Sequence, residues 1–325
     1  MLWLVVATAV GAPAHSVSVM TDEHDTPAVV EEVAAESAEL SGGTVADYVD
    51  ALAEADPDDF GVAVNSVDGA EHAAGDADVR FPIQSISKVF SLTLAMQAGR
   101  TDLWKRVGRE PSGDPFNSLV QLEYEEGIPR NPLINAGALV VDDVLLEHYD
   151  DPHKAGLELL SDLVGEDIGV DPTIYDTEEY ATHRNAAMAS LMASFGNIRY
   201  PVDEVMSLYN HQCATNMSTR QLARAVRFLA NDGVDPASGR RVLPVRACHR
   251  VNAIMFTCGT YDAAGEFAFS VGIPCKSGVC GAIVGVVPHR MGVCVYSPAL
   301  DHTGNSLAGR YALEQLNDQL DLSVF

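Results

Sequence analysis

The chain of 325 residues is short of positive charge: 20 Lys and Arg stand against 46 Asp and Glu, leaving a formal charge of −26. Lysine is scarcest, occurring only as Lys88, Lys105, Lys154 and Lys276. Such a balance repels phosphate backbones and anionic headgroups, which argues against nucleic acid and membrane surfaces as partners. The cysteines, at 213, 248, 258, 275, 280 and 294, form no CxxC, and the histidines form no HExxH or metal-spaced cluster. Free thiols and no metal are expected. An apolar run at residues 2–10 is too short for a bilayer, which needs about 20 residues. It ends near Ala12-Pro13-Ala14, like a secretory cleavage site, but no Lys or Arg precedes it. An over-extended start before Met20 is therefore read in preference to a signal peptide, and with it a cytoplasmic location. No internal repeat is found.

What is present is 47% hydrophobic content, enough for packed cores in about two lobes at roughly 150 residues each. The acids are spread along the chain rather than gathered in a tail. With so few lysines this points to life in molar salt, where the Debye length falls to about 3 Å; an ordinary acidic cytosolic protein is the alternative. Residues 1–43, acidic and alanine-rich, read as a leader with one short helix at most, ending in Ser41-Gly42-Gly43. The ordered domain is expected over 44–325, with Thr44 capping a helix. Residues 60–66 and 70–75 alternate around Asp68-Gly69, a hairpin signal. FPIQSISKVFSLTLAMQAG passes from an extended start into a helix closing at Gly99. From about 100 to 240 the patterns are helical, and strand-like runs return only after 265, as GEFAFSVGIP, GAIVGVVP and GVCVYSP, before a last helix from Ser306. The fold class expected is α/β (α+β): an αβ lobe from both chain ends, about 44–99 and 241–325, with a helical lobe inserted at about 100–240.

Ser85-Ile86-Ser87-Lys88 matches S-x-x-K, which puts a serine and a lysine one turn apart on one helix face. Chance produces such a match in roughly one chain in four of this composition, so the tetrapeptide alone is weak. Its place at a strand-to-helix passage is better, because unpaired N–H groups there can hold an oxyanion. A plain cap and a solvated charge remain the bland alternative. Lys276-Ser277-Gly278 resembles the lysine-hydroxyl-glycine triplet of penicillin-recognising serine enzymes, although a lysine on a strand edge also guards against aggregation. Glu178 and Asn185, seven residues apart, share a helix face within about 20° and could grip an amino acid's ammonium and carboxylate, or simply face solvent.

FPIQSISKVF, PRNPLINAGALV, the stretch from Glu178 to Asn185, CGTYD, FSVGIPCKSGV and SPALDHTGNS together resemble the serine-dependent glutaminases, in the same order and over about residues 44–320. The resemblance implies the serine β-lactamase/transpeptidase-like fold, an antiparallel sheet flanked by helices with an inserted helical lobe. It also implies hydrolysis of L-glutamine to L-glutamate and ammonia without a cofactor, and a homo-oligomer, dimer or tetramer. Carried across residue by residue, it implies Ser85 as nucleophile, Lys88 as base, and Tyr48, Asn135, Glu178, Asn185, Tyr209, Tyr261 and Val279 as substrate contacts. In the expected mechanism Tyr261 relays a proton to ammonia, with Tyr209 an alternate. The Ser85 and Val279 N–H groups hold the oxyanion, and Lys276 helps keep Lys88 neutral. Another serine acylase of this fold, or a sensor of glutamine that does not turn over, would share much of this pattern.

Overall fold

Alternation of Val62, Ala63 and Val64 makes β1 (Gly61–Ser66) a strand with both faces buried. In the computed structural model, which describes residues 26–47, 50–99, 102–112, 119–172, 175 and 179–325, β1 pairs antiparallel with β2 (Glu71–Gly75). Gly69 supplies the positive φ (+101°) that the hairpin turn needs. A second, short sheet has the order β3-β5-β4 from β3 (Arg80–Pro82), β4 (Gly169–Val170) and β5 (Thr215–Ser218). The main sheet is completed by β6 (Cys275–Ser277), β7 (Ala282–Val287) and β8 (Met291–Tyr296), in the order β2-β1-β8-β7-β6.

The longer helices are α1 (Thr26–Ala38), α2 (Ser87–Gln97), α3 (Asn135–His148), α4 (Pro152–Val164), α5 (Glu179–Ser194), α6 (Val202–Cys213), α7 (Thr219–Ala225), α8 (Val245–Cys258) and α9 (Leu307–Leu320). They cover both faces of the main sheet. Val62, Val64, Ile283, Val293 and Val295 share a core with Val30 and Val33 of α1 and Leu313 and Leu316 of α9. Ala63, Val284, Cys294 and Tyr296, from the opposite face, share one with Val89 and Leu92 of α2, Ala223 of α7 and Met255 of α8. Each fully buried Val or Leu side chain contributes about 2 kcal/mol. A third core, around Leu139, Met188, Met192 and Val205, joins α3, α5 and α6.

The hairpin, the passage into α2 and the last helix lie where the pattern put them, and Ser306 caps α9 through Gly309 N–H. Four expectations are corrected. Part of the supposed leader is α1, whose Val29, Val30 and Val33 are buried against α9 and the sheet. Thr44 bridges Leu300 through the backbone instead of capping a helix. GEFAFSVGIP is helical over Ala264–Ser270, with Phe267 buried and Phe269 exposed; pairing starts only after Pro274, which has no N–H to give. Strands also occur in the middle of the chain, as β4 and β5, and α7 packs on β1 and β8 well before residue 241.

Candidate active site

Ser85 sits in a 3₁₀ turn, Gln84–Ile86, that feeds straight into α2. Gln84 holds φ at +47°, a strained value for a residue with a Cβ, and this sharp corner brings the chain from β3 into the helix. The turn is tied down by Ser87 Oγ, which donates to Gln84 O at 2.7 Å, and by Ile83 N–H, which donates to Thr215 O at 2.8 Å. One turn along, Lys88 Nζ lies 2.9 Å from Ser85 Oγ and 2.6 Å from Asn135 Oδ1. Ser85 is 8% exposed and Lys88 2%, so the pair is lodged in the protein rather than solvated. The bland alternative of a cap and a surface charge fails on this geometry.

Asn135 opens α3, entered through an Asx turn in which Asn131 Oδ1 accepts the N–H groups of Leu133 and Ile134. Its amide spans two partners, since Nδ2 donates to Asn185 Oδ1 at 3.1 Å. Asn185 is buried on α5. The ring of Tyr209, on α6, lies 5.6 Å from Lys88 Nζ. Ser85, Lys88, Asn135, Asn185 and Tyr209 are therefore brought together. Tyr48 and Glu178 lie outside the described residues.

The sheet delivers the rest. Lys276 pairs in register with Val284, Val284 with Cys294, and Cys294 with Ala63, so the pleat sends Lys276 to the α2 side. Cys275 is sent to the opposite face, among Ile273, Val293 and Val64, which explains an apolar thiol beside Lys276. All six cysteines are free and buried. Lys276 is fully buried; its Nζ donates to Gly259 O at 3.1 Å and to Ser277 O, and lies 4.6 Å from the centre of the Tyr261 ring. Burial first, and the charge of Lys88 second, push its pKa well below the usual lysine range. Two ammonium groups cannot both be carried here without mutual repulsion.

Tyr261, at φ +55°, donates from its hydroxyl to Ser277 O at 3.1 Å. Gly278 lets β6 approach the Gln84–Ile86 turn, for a Cβ there would stand 3.1 Å from Ile83 O and 3.4 Å from Ile86 Cγ1. Val279 follows, half-buried against the α2 core.

Two supporting residues escaped the sequence reading. Asn305 accepts from Ser277 Oγ and donates to Thr260 O at 3.2 Å, bracing the triplet from a segment rich in turn residues. Gly259 accepts both Lys276 Nζ and Ser277 N–H, and a Cβ on it would fall 1.8 Å from Cys275 O. Gly259→Ala is expected to cost about 3 kcal/mol or more, because backbone rather than a flexible side chain must move. Chemical denaturation compared with the unaltered protein checks this.

A buried serine and lysine at the head of a helix, packed beside the lysine-bearing strand β6 of an antiparallel sheet, fit the β-lactamase-like class of folds. Within that class, the family model described as Glutaminase matches residues 43–325. The chain belongs to the glutaminase family, whose reaction is hydrolysis of L-glutamine to L-glutamate and ammonia. A glutaminase of Methylobacterium radiotolerans is 50% identical over 302 residues, covering 91% of this chain and 97% of that one. One of Paraburkholderia phytofirmans is 52% identical over 287 residues, covering 88% and 94%. The structure of a probable glutaminase, ybaS, superposes with a TM-score of 0.89 at 34% identity, covering 94% of this chain and 99% of that one. Mglu in its glutamate form gives 0.87 at 37% identity, covering 93% and 70%.

Proposed function

We propose that this chain hydrolyses the side-chain amide of L-glutamine through a γ-glutamyl ester on Ser85, with Lys88 as the base. The observation that carries the reading is the 2.9 Å approach of a buried Lys88 Nζ to Ser85 Oγ. A carboxamide resists water because its carbonyl is resonance-stabilised and ammonia leaves poorly, so the reaction is divided into two easier steps. Ser85 Oγ attacks the side-chain carbonyl while the Lys88 amine takes its proton. The N–H groups of Ser85 and Val279 receive the oxyanion, each worth about 3 kcal/mol in the transition state. A proton then passes to the leaving amine through Tyr261, or Tyr209, and the C–N bond breaks. Water attacks the ester, Lys88 again taking its proton, and the C–O bond to Ser85 breaks to release glutamate.

Glu178 is assigned to the substrate's α-ammonium, and Asn135, Asn185 and Tyr48 to its α-carboxylate. Asn135, with Oδ1 on Lys88 and Nδ2 on Asn185, links the base to that grip. Lys276, Ser277 and Gly278 hold the strand against the nucleophile's turn. Glu178→Gln is expected to lower kcat/KM for glutamine roughly a hundredfold, the equivalent of about 3 kcal/mol for a buried ammonium left without its charged acceptor. The analogue lacking the α-amino group should be a poor substrate of the unaltered enzyme. Equal turnover of the analogue and glutamine would remove the role of Glu178.

The protein is further proposed to be a cytoplasmic homo-oligomer, dimer or tetramer, that works in high salt. Mglu, a structural neighbour, has been solved in its native form in 4.3 M NaCl. Among the described residues no helix is long and apolar enough to cross a membrane. Light scattering in molar chloride measures the oligomer. Ammonia release from glutamine, set beside hydrolysis of a chromogenic β-lactam, separates this reading from a penicillin hydrolase and from a sensor that does not turn over. Ammonia without β-lactam cleavage is expected.

A further inference from the structure

Asp142 lies on α3 seven residues beyond Asn135, so the two side chains leave the helix within about 20° of each other, two turns apart. It is fully buried, and neither carboxyl oxygen completes a hydrogen bond with a described residue. Gln212 of α6 approaches it without closing one: its amide pulls on the carboxyl, yet its Nε2 is also without a partner. Gln212 Oε1 accepts from Ser91 Oγ, and Ser91 stands one turn past Lys88 on α2. A polar layer of Ser91, Gln212 and Asp142 thus backs the Lys88–Asn135 pair inside the helical packing.

The next residue has the opposite surroundings. Asp143 pairs with Arg106 and accepts the N–H groups of Arg199 and Tyr200, each at 2.8 Å. Among the described residues Asp142 forms no ion pair, and the positive charge acting on it is that of Lys88. Burial drives its pKa well above the carboxylate range; Gln212 and Lys88 pull it down, and Asp143 pushes it further up. Lys276 in turn feels the charge of Lys88. An acid kept in this position is costly to the fold unless it carries its proton.

We propose that Asp142 is a positioning residue that acts through Lys88 as a counter-charge switched on by pH. This rests on the reading of Lys88 as the base. At low pH the neutral acid leaves Lys88 unassisted. As pH rises Asp142 ionises, and its carboxylate then favours the ammonium that forms on Lys88 when Ser85 gives up its proton. No proton need travel between the two, because the effect is electrostatic.

The test is Asp142→Asn, which keeps the shape of the neutral acid and removes its titration. The ratio of kcat for the unaltered enzyme to kcat for the variant is expected to stay near one at acid pH. It should climb roughly tenfold as the pH is taken into the alkaline range. A ratio that does not change with pH overturns the proposal. Stability supplies a second readout. An acid whose folded pKa is raised stabilises fully below its unfolded value, near 3.9, and loses that contribution as pH rises through the folded value. Asp142→Asn should therefore melt several degrees above the unaltered protein at neutral pH, with the gap narrowing as pH approaches 4. A gap independent of pH would mean that Asp142 is never held protonated, and would overturn the proposal equally. Should the Asn variant not fold, Asp142→Ser, also neutral and smaller, is measured in the same way. Retained activity in Lys88→Ala removes the base reading itself, whereas a flat ratio alongside an inactive Lys88→Ala removes only the role of Asp142.

Discussion

Ser85→Ala and Lys88→Ala are each expected to abolish ammonia release from glutamine, with kcat falling on the order of a million-fold. On the proposed mechanism the two groups, 2.9 Å apart, act as one unit, so the double variant should lose little more than either single one. Ser85→Ala removes one hydroxyl from a turn otherwise held by Ser87, Ile83 and Thr215, and should fold normally. Lys88→Arg separates charge from basicity: it retains a cation near Asn135 Oδ1 but cannot be deprotonated, and should be as inactive as the alanine variant. Circular dichroism and single-turnover assays with glutamine provide the check. Substantial turnover by folded Ser85→Ala would sink the acyl-enzyme, and turnover by Lys88→Arg would show that Lys88 supplies charge rather than a proton acceptor.

The parts of this site that could be read from sequence are those set by local spacing. Ser85 and Lys88 meet because three residues make nearly one helical turn, whatever the rest of the fold does. The hairpin of β1 and β2 follows from a two-residue period and an Asp-Gly turn. Long-range register is another matter. That Lys276 faces α2 and Cys275 faces α9 depends on how β6 slides along β7, which no local pattern specifies. The same is true of Asn305, Gly259 and Asp142, whose roles come from partners in other elements. α1 was hidden by composition: glutamates and alanines read as solvated, although Val29, Val30 and Val33 make a narrow apolar stripe that becomes decisive only once α9 is there to receive it. Ala264–Ser270 reads as a strand because alternating phenylalanines mimic the strand period. β4 and β5, of two and four residues, are too short to show any period.

Salt is expected to change this protein more than any surface substitution. The charge of −26 is not merely a sum, because around Asp59 acids crowd one another. Asp59 has its pKa raised by partial burial and then by Asp76, Asp56 and Asp58. Like charges at such a corner oppose folding, and in dilute buffer little screens them, since the Debye length is about 30 Å at 0.01 M and about 3 Å at 1 M. Arginines relieve the strain only in places, as where Arg220 and Arg224 gather Glu71, Asp78 and Glu166. The melting temperature and the glutaminase activity should therefore rise together with sodium or potassium chloride into the molar range, with partial unfolding below about 0.1 M. Chloride also strengthens apolar burial, so the comparison is with sucrose at equal concentration, which does so without screening charge. Recovery in chloride but not in sucrose identifies screening as the cause. A melting point that is flat between about 0.05 and 2 M chloride, or restored equally by sucrose, would mean that the acidic surface is not what ties this fold to salt.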